Sequence, residues 1–452
     1  MSGGGQGMGL DTPQRLAVDA LLDDPGTRII VCCGAGGVGK TTTAAALGVR
    51  AAERGRKVVV LTIDPARRLA QSMGIDSLDN TPRRVPGIEG GSGAGDGELH
   101  AMMLDMKRTF DEIVESHADA ERARAILANP FYQSLSAGFA GTQEYMAMEK
   151  LGQLRARDDW DLIVVDTPPS RSALDFLDAP KRLGSFLDGK FIRVLMAPAK
   201  VGGRAGMAFL NVGMSMMTGT LSKLMGASLL KDVQTFVAAM DTMFGGFRTR
   251  ADATFRLLQA PGTAFLVVAA PEPDALREAA YFVERLAAEK MPLAGLVLNR
   301  VHGSDAEQLS AERARAAAEN LEEGGIVDQE SGKAGLRDAA DDGSPGVGDV
   351  HDQSDVNDVG DASDGNDVAE VADGNDVADV ADVDQVTAGL LRLHAERMQV
   401  IAREQRTRDR FTSLHPEVAV AEVAALPGDV HDLAGLRAIG ERLAAGVPAA
   451  GA

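Results

Sequence analysis

Residues 28–42 read RIIVCCGAGGVGKTT, an apolar run followed by a glycine-rich turn and the start of a helix. The turn matches the pattern G-x-x-x-x-G-K-[ST], whose glycines let backbone N–H groups curl around phosphate oxygens. In this pattern Lys40 neutralises charge on the β- and γ-phosphates, and the hydroxyl of Thr41 binds Mg²⁺. The stretch therefore predicts a nucleotide site, and its predicted binding residues are Gly34, Gly36, Gly37, Val38, Gly39, Lys40, Thr41 and Thr42.

Three polar residues follow other apolar runs and are further candidates for this site. A carboxylate at Asp64 can orient or deprotonate an attacking water, or it can cap the helix that Pro65 opens, and the residues alone favour neither. An acid that closes an apolar strand beside a phosphate loop typically reaches the Mg²⁺ shell, so we assign Asp166 to the metal rather than to a simple turn. Asn299 can read a base edge through its amide, or it can serve as a turn residue.

Short apolar runs rich in β-branched residues alternate with helical patterns along the chain. Near-continuous apolar runs indicate strands that are buried on both faces, hence a parallel sheet covered by helices. We therefore predict an α/β fold with a doubly wound, mostly parallel sheet, whose ligand lies beyond the carboxyl ends of the strands. The predicted strands are 28–33, 57–63, 161–166, 264–269 and 294–298, and the predicted helices are 40–54, 65–73, 107–127, 142–157 and 274–290.

Composition excludes several classes of protein. The 452 residues include 46 Lys+Arg and 66 Asp+Glu, and the net charge of −20 argues against nucleic acid as a partner. Two adjacent cysteines, Cys32 and Cys33, exclude a disulfide framework and a zinc site made of cysteines alone, and they fit a reducing compartment. No apolar run reaches the roughly 18 residues of a spanning helix, and the N-terminus does not resemble a signal peptide. We expect a cytoplasmic protein that reaches a membrane only through a partner.

Much of the negative charge lies between Asp349 and Asp384, a stretch with thirteen acids and no Lys or Arg. High charge with few large apolar side chains predicts a disordered linker. A calcium-binding roll of nonapeptide repeats would need paired glycines and more repeats. The predicted organisation is an N-terminal extension (1–26), a first part of the core (27–189), a Met-rich helical subdomain (190–259), a second part of the core (260–303), a largely disordered acidic insertion (304–386), and a C-terminal helix with a closing segment (387–452).

The Met-rich segment carries one apolar stripe at helical spacing, formed by Met207, Leu210, Met214, Met217, Leu221 and Leu224. Such a stripe packs either against the sheet or a dimer mate, or it lines a groove for varied apolar partners. The residues leave both interpretations open.

Four strings of this sequence, GAGGVGKTT, TIDPARRLAQ, VVDTPPSRSALDFL and VLNRV, together resemble the ArsA/Get family of dimeric ATPases. The resemblance covers about 27–302 and, more weakly, 387–445. The pairing of Asp-Pro-Ala after one strand with Asp-Thr-x-Pro after a later strand looks like the switch I and switch II segments of this family. The run DTPPSRSALDFLDAPKRL is most similar to an actinobacterial branch of anion-transporting ATPases.

The resemblance implies roles for the candidate residues. ATP and Mg²⁺ would be the cofactors, Asp64 would handle the attacking water, and Lys40 would stabilise charge on the transferring phosphoryl group. Asp166 would belong to the metal and switch II network. Asn299 would contact adenine, and Pro427, in AALPGD, would cover the other face of the base. Turnover would be coupled to a helical subdomain that handles a hydrophobic client or a membrane protein.

Three departures from the family pattern bear on function. Where the family usually carries a lysine that reaches the partner's phosphates, this chain has Ala35. A homodimer should therefore hydrolyse ATP poorly, and a heterodimer with a lysine-bearing paralogue would restore the missing charge to this site. The metalloid-binding cysteines of arsenite pumps and the Cys-x-x-Cys zinc clasp of the targeting branch are also absent. The alternatives are the energising subunit of an anion pump and a catalytically weak regulatory subunit.

Overall fold

A computed structural model of the chain describes residues 14–63, 68–88, 96–130, 132–133, 136, 142–168, 249–331 and 375–445. Asp64, the Met-rich stripe and most of the acidic stretch lie outside the described residues. The described helices are α1 (Val18–Asp23), α2 (Lys40–Glu53), α3 (Arg68–Ser72), α4 (Met106–His117), α5 (Ala120–Leu127), α6 (Thr142–Arg157), α7 (Pro273–Ala288), α8 (Ala311–Ser331), α9 (Asn375–Leu414) and α10 (Leu433–Ala445). The strands are β1 (Ile29–Cys33), β2 (Lys57–Thr62), β3 (Arg83–Arg84), β4 (Glu98–Met103), β5 (Leu162–Asp166), β6 (Thr263–Ala269), β7 (Leu293–Val301) and β8 (Val420–Ala424).

The eight strands form one sheet in the order β3-β4-β2-β5-β1-β6-β7-β8. Every pairing is parallel except that of β3 with β4. All five residues of β1 are buried, since β5 and β6 flank it and apolar side chains cover both faces of the sheet. The prediction of a doubly wound, mostly parallel α/β fold is confirmed.

Three short strands were not predicted. β3 and β4 lie at one edge of the sheet and β8 lies at the other. β8 pairs with β7 in parallel, so a segment near the C-terminus completes the same sheet that 28–33 begins.

The helix predicted over 107–127 is wrong as a single element, because the chain breaks it into α4 and α5. Ala118 adopts an extended conformation (φ −122°, ψ 152°) between the two helices. The side chain of Asp119 then accepts a hydrogen bond from the Arg122 N–H and caps α5. The extended Ala118 ends α4, and the N-cap at Asp119 starts α5.

The described residues divide into two compact units, and the second comprises Ser304–Val400. Within it, Arg392 pairs with Glu322, and the His394 imidazole lies 2.7 Å from the carbonyl oxygen of Leu309. Helix α9 begins at Asn375, so the end of the insertion predicted to be largely disordered is helical. The other predicted domain boundaries stay predictions. Among the described helices, none is long and apolar enough to cross a membrane.

Candidate phosphate-binding site

The carboxyl end of β1 leads directly into the glycine-rich loop. Gly34 has φ 149°, and a Cβ atom there would lie 2.1 Å from the carbonyl oxygen of Val268 in β6. A side chain at this position would therefore collide with backbone, and glycine lets the loop leave the sheet close to β6. At its other end, Gly39 adopts a left-handed conformation and serves as the N-cap of α2.

Lys40, the first residue of α2, is buried within the loop it follows. Its Nζ atom donates a hydrogen bond of 2.7 Å to the carbonyl oxygen of Ala35. The ammonium group is thus held at the loop, where the phosphate-loop pattern requires a positive charge.

Thr41 and Asp166, the two residues predicted to bind the metal, are brought together by the fold. Thr41 Oγ1 donates to Asp166 Oδ2 at 2.7 Å, and Thr62 Oγ1 donates to the same oxygen at 2.9 Å. Asp166 is fully buried. The strand register explains the contact with Thr62, because Thr62 and Asp166 are paired residues at the ends of β2 and β5.

The oxygen atoms of Thr41 and Asp166 suit a hard cation such as Mg²⁺. Mg²⁺ is commonly held by one or two carboxylates together with substrate phosphates and water, rather than by an all-protein cage. The described residues contain no group of three or more His, Cys, Asp or Glu side chains that could hold a metal. The donors present fit Mg²⁺ bound together with a phosphate.

Asn299 lies near the end of β7, and its amide reaches the loop. Its Nδ2 atom donates a hydrogen bond of 2.8 Å to the carbonyl oxygen of Val38, and the residue is only 8% exposed. A Cβ atom on Gly39 would lie 2.2 Å from that Nδ2. Asn299 thus fastens the loop to the sheet, a contact that sequence analysis did not foresee. Pro427 lies exposed after β8, in the stretch that leads towards α10.

Sequence analysis missed three polar residues around the predicted site. Thr62 is one of them, and its only signal was a hydroxyl at the end of an apolar strand. The hydroxyl of Thr167 donates to the carbonyl oxygen of Cys32 at 2.9 Å and joins the segment after β5 to β1. Gln143, in α6, donates through Nε2 to the carbonyl oxygen of Ile63 at 2.9 Å. Gln143 therefore contacts the residue that precedes Asp64, and nothing in the local sequence indicated it.

Helix α6 also carries a buried acid that pairs across the fold. Glu149 accepts a hydrogen bond of 2.8 Å from Arg250 Nε and one of 3.2 Å from the Tyr145 hydroxyl. Burial and the neighbouring Glu149 raise the pKa of Tyr145, so this phenol stays protonated and can donate. Arg250 belongs to helical residues 249–259, the first described residues after 169–248. The pair therefore ties α6 to the last residues of the predicted Met-rich subdomain.

The two cysteines are buried in β1. Burial raises the pKa of Cys33 to about 12. Burial and the nearby Asp166 raise the pKa of Cys32 well above its ordinary value. Both are thiols rather than thiolates at neutral pH, and only the thiolate is a good metal ligand or nucleophile.

Comparison with known proteins shows the family of the chain. The family described as "Anion-transporting ATPase" matches residues 27–323, more than half of the chain. "ATPase GET3" of Podospora anserina is 26% identical over 310 residues, which cover 67% of this chain and 83% of that protein. "ATPase GET3" of Malassezia globosa is 30% identical over 38% of this chain and 49% of its own. "Protein Rv2184c" of Mycobacterium tuberculosis is 32% identical over 37% of this chain and 41% of its own. The chain belongs to the anion-transporting ATPase family, the ArsA/Get family of enzymes that hydrolyse ATP.

Proposed function

We propose that this ATPase binds ATP with Mg²⁺ at the loop 34–42 and couples its hydrolysis to movement of the Met-rich segment. The observation that carries the proposal is the contact between Thr41 and Asp166, 2.7 Å at the start of α2. It joins a loop built for phosphates to a buried carboxylate, which is the combination that a Mg²⁺–triphosphate requires.

Each residue of the proposed site has a separate role in ATP hydrolysis. Lys40 exchanges the Ala35 carbonyl for phosphate oxygens and stabilises the charge that develops on the transferring phosphoryl group. Thr41 and Asp166 would hold Mg²⁺, which would neutralise phosphate charge. Asp64 orients the attacking water, and Gln143 positions the backbone next to it.

Two residues are proposed to contact the base. The Nδ2 atom of Asn299 donates to the Val38 carbonyl oxygen, so its Oδ1 atom is the one proposed to accept a hydrogen bond from adenine. Pro427 is exposed and covers the other face of the ring. These assignments predict that a change at Asn299 affects both the loop and the preference for ATP over GTP.

Calorimetry of nucleotide binding with and without Mg²⁺ tests the metal assignment. We expect Thr41→Val and Asp166→Asn to lower ATP affinity about tenfold or more in Mg²⁺ and to change it little in EDTA, since each removes a ligand oxygen. Thr27→Val is the matched control, because Thr27 is a buried threonine that precedes the other end of β1. Equal losses with and without Mg²⁺ would show that these residues serve the fold rather than the metal.

Ala35 favours a second candidate, a weak ATPase that is completed by a lysine-bearing paralogue. The position is buried in the loop and carries only a methyl group. In a heterodimer, the lysine of the paralogue would add the positive charge that a homodimer of this chain lacks. We expect Ala35→Lys to raise the turnover of the purified chain about tenfold or more. Full family rates from the unmodified chain alone would refute this candidate. Native mass measurement with a trapped nucleotide would identify the partner.

We also propose that ATP hydrolysis serves a partner protein, which is a hydrophobic client or a membrane protein. The Met-rich stripe binds this partner in the cytoplasm. Flexible thioethers suit a groove for varied apolar segments. The alternative role in an anion pump would need anion ligands other than Cys32 and Cys33, which are buried in β1. Cross-linking of an apolar helical peptide to 207–224 in an ATP-dependent manner tests the client role. Cross-linking to the same extent with and without ATP would argue against coupling between ATP hydrolysis and peptide binding.

A further inference from the structure

Helix α9 has an exposed apolar stripe that the proposed function does not use. Four residues at steps of three and four, Val383, Val386, Leu390 and Leu393, are 61–64% exposed. Val400 continues the stripe at 37% exposed. This spacing is that of the a and d positions of a coiled coil.

The opposite face of the same helix is already buried. Ala388 and Ala395 are 1% and 2% exposed and lie a heptad apart, off the stripe. Arg392 and His394 contact Glu322 and the Leu309 carbonyl, which holds the helix in its own unit. The stripe therefore faces away from the side by which α9 is fixed.

The charges along the stripe are complementary to those of a second copy that runs the other way. With Val383 opposite Val400 of the second copy, Leu390 falls opposite Leu393, and Val386 falls opposite Arg397. Asp382 and Arg403 flank the stripe at its two ends, and both are exposed. In this register they form an opposite-charge pair twice, once at each end of the contact.

A parallel pair of the same helices is less favourable. It would place Arg397 against its own counterpart in the core of the contact, where like charges repel. It would also keep the acidic start of the stripe away from the basic end.

We propose that this stripe is a self-association surface, on which α9 of a second copy binds in antiparallel orientation. The contact spans about five turns of helix, and its area falls below about 1,200 Å², the low end for protein interfaces. The association is therefore reversible and depends on the concentration of the chain. It involves neither the phosphate-binding loop nor bound nucleotide.

Disulfide cross-linking of the full chain tests both the contact and its direction. In the antiparallel register, Val383 of one copy lies beside Val400 of the other, whereas the two copies of Val383 are about 25 Å apart (17 residues at 1.5 Å each). A disulfide needs Cβ atoms about 4 Å apart. The native thiols, Cys32 and Cys33, are buried and give little background.

We expect an equimolar mixture of Val383→Cys and Val400→Cys chains to form cross-linked dimers under mild oxidation without nucleotide. Each variant alone should stay largely uncross-linked. Adding Leu393→Asp to both chains should lower the yield about tenfold or more, since it places a charge in the contact of each copy. Gln399→Asp, an exposed residue of the same helix off the stripe, should leave the yield unchanged.

Two results would overturn the proposal. Cross-linking of Val383→Cys alone to the level of the mixture would show a parallel contact. A mixture that forms no cross-link, with a sedimentation mass unchanged by Leu393→Asp, would show that the stripe is covered by something other than a second copy. Circular dichroism of each variant confirms folding, which substitutions at exposed positions should preserve.

Discussion

Replacing Gly39 by alanine tests the link between the phosphate-binding loop and β7. Gly39 has φ 94°, where an alanine is strained by about 1–2 kcal/mol. The new Cβ would lie 2.2 Å from Asn299 Nδ2, so the amide must move away. Moving it breaks the 2.8 Å hydrogen bond to the buried Val38 carbonyl, a loss of about 1–3 kcal/mol. The total expected destabilisation is about 2–5 kcal/mol.

Gly37 provides a matched control in the same loop. Its φ is 77°, but a Cβ atom there would have nothing within 4 Å. Gly37→Ala should therefore show the backbone strain alone, about 1–2 kcal/mol. The difference between the two variants isolates the collision with Asn299.

Urea unfolding of the nucleotide-free protein measures both variants, and a double-mutant cycle with Asn299→Ala identifies the cause. Removing the amide removes the collision, so Gly39→Ala should cost only about 1–2 kcal/mol in the Asn299→Ala background. The reasoning is refuted if Gly37→Ala and Gly39→Ala destabilise the fold equally, or if the Gly39 and Asn299 changes are additive.

Three further predictions concern two substitutions and the reactivity of the cysteines. Gln143→Leu should lower ATP turnover about tenfold with little change in nucleotide affinity, because it releases the backbone beside Asp64. Gln153→Leu, on the same helix, should leave turnover unchanged. A parallel loss of nucleotide affinity in Gln143→Leu would contradict a positioning role. Cys32 and Cys33 should resist iodoacetamide in the native protein at pH 8 and react in urea, because their pKa values are raised only while they are buried. Mass spectrometry measures the labelling, and rapid labelling of the native protein would contradict this expectation. Arg250→Ala should destabilise the fold by about 3–5 kcal/mol in chemical denaturation, because it leaves the buried carboxylate of Glu149 without its guanidinium partner. A loss below about 1 kcal/mol would show that other groups compensate the charge of Glu149.

The loop between β1 and α2 could be predicted from sequence because its signal is local. A buried strand, a turn with fixed glycines and a helix that starts at Lys40 follow one another within 28–42. The same holds for the central strands, whose apolar runs are long enough to indicate burial on both faces. The meeting of Thr41 with Asp166 followed from the rule that carboxyl ends of parallel strands share one edge of the sheet.

The missed elements depend on partners distant in the chain. β4 reads ELHAMM, with its charged and polar residues at partly buried positions near the sheet edge. β8 is short and becomes a strand only because β7 offers an open edge. The contact of Gln143 with Ile63 joins residues 80 positions apart, which no local pattern can show. The break between α4 and α5 is different, since Asp119 is an ordinary capping residue and its signal is local.

Helix α6 holds two distant parts of the chain at a fixed spacing. Gln143 contacts the residue before Asp64, and Glu149, about 9 Å further along the axis, contacts Arg250. A helix of this length transmits rotation and translation with little bending. The proposed water-handling site at one end and helical residues 249–259 at the other therefore contact the same helix, and a substitution that reorients α6 cannot adjust either of them alone.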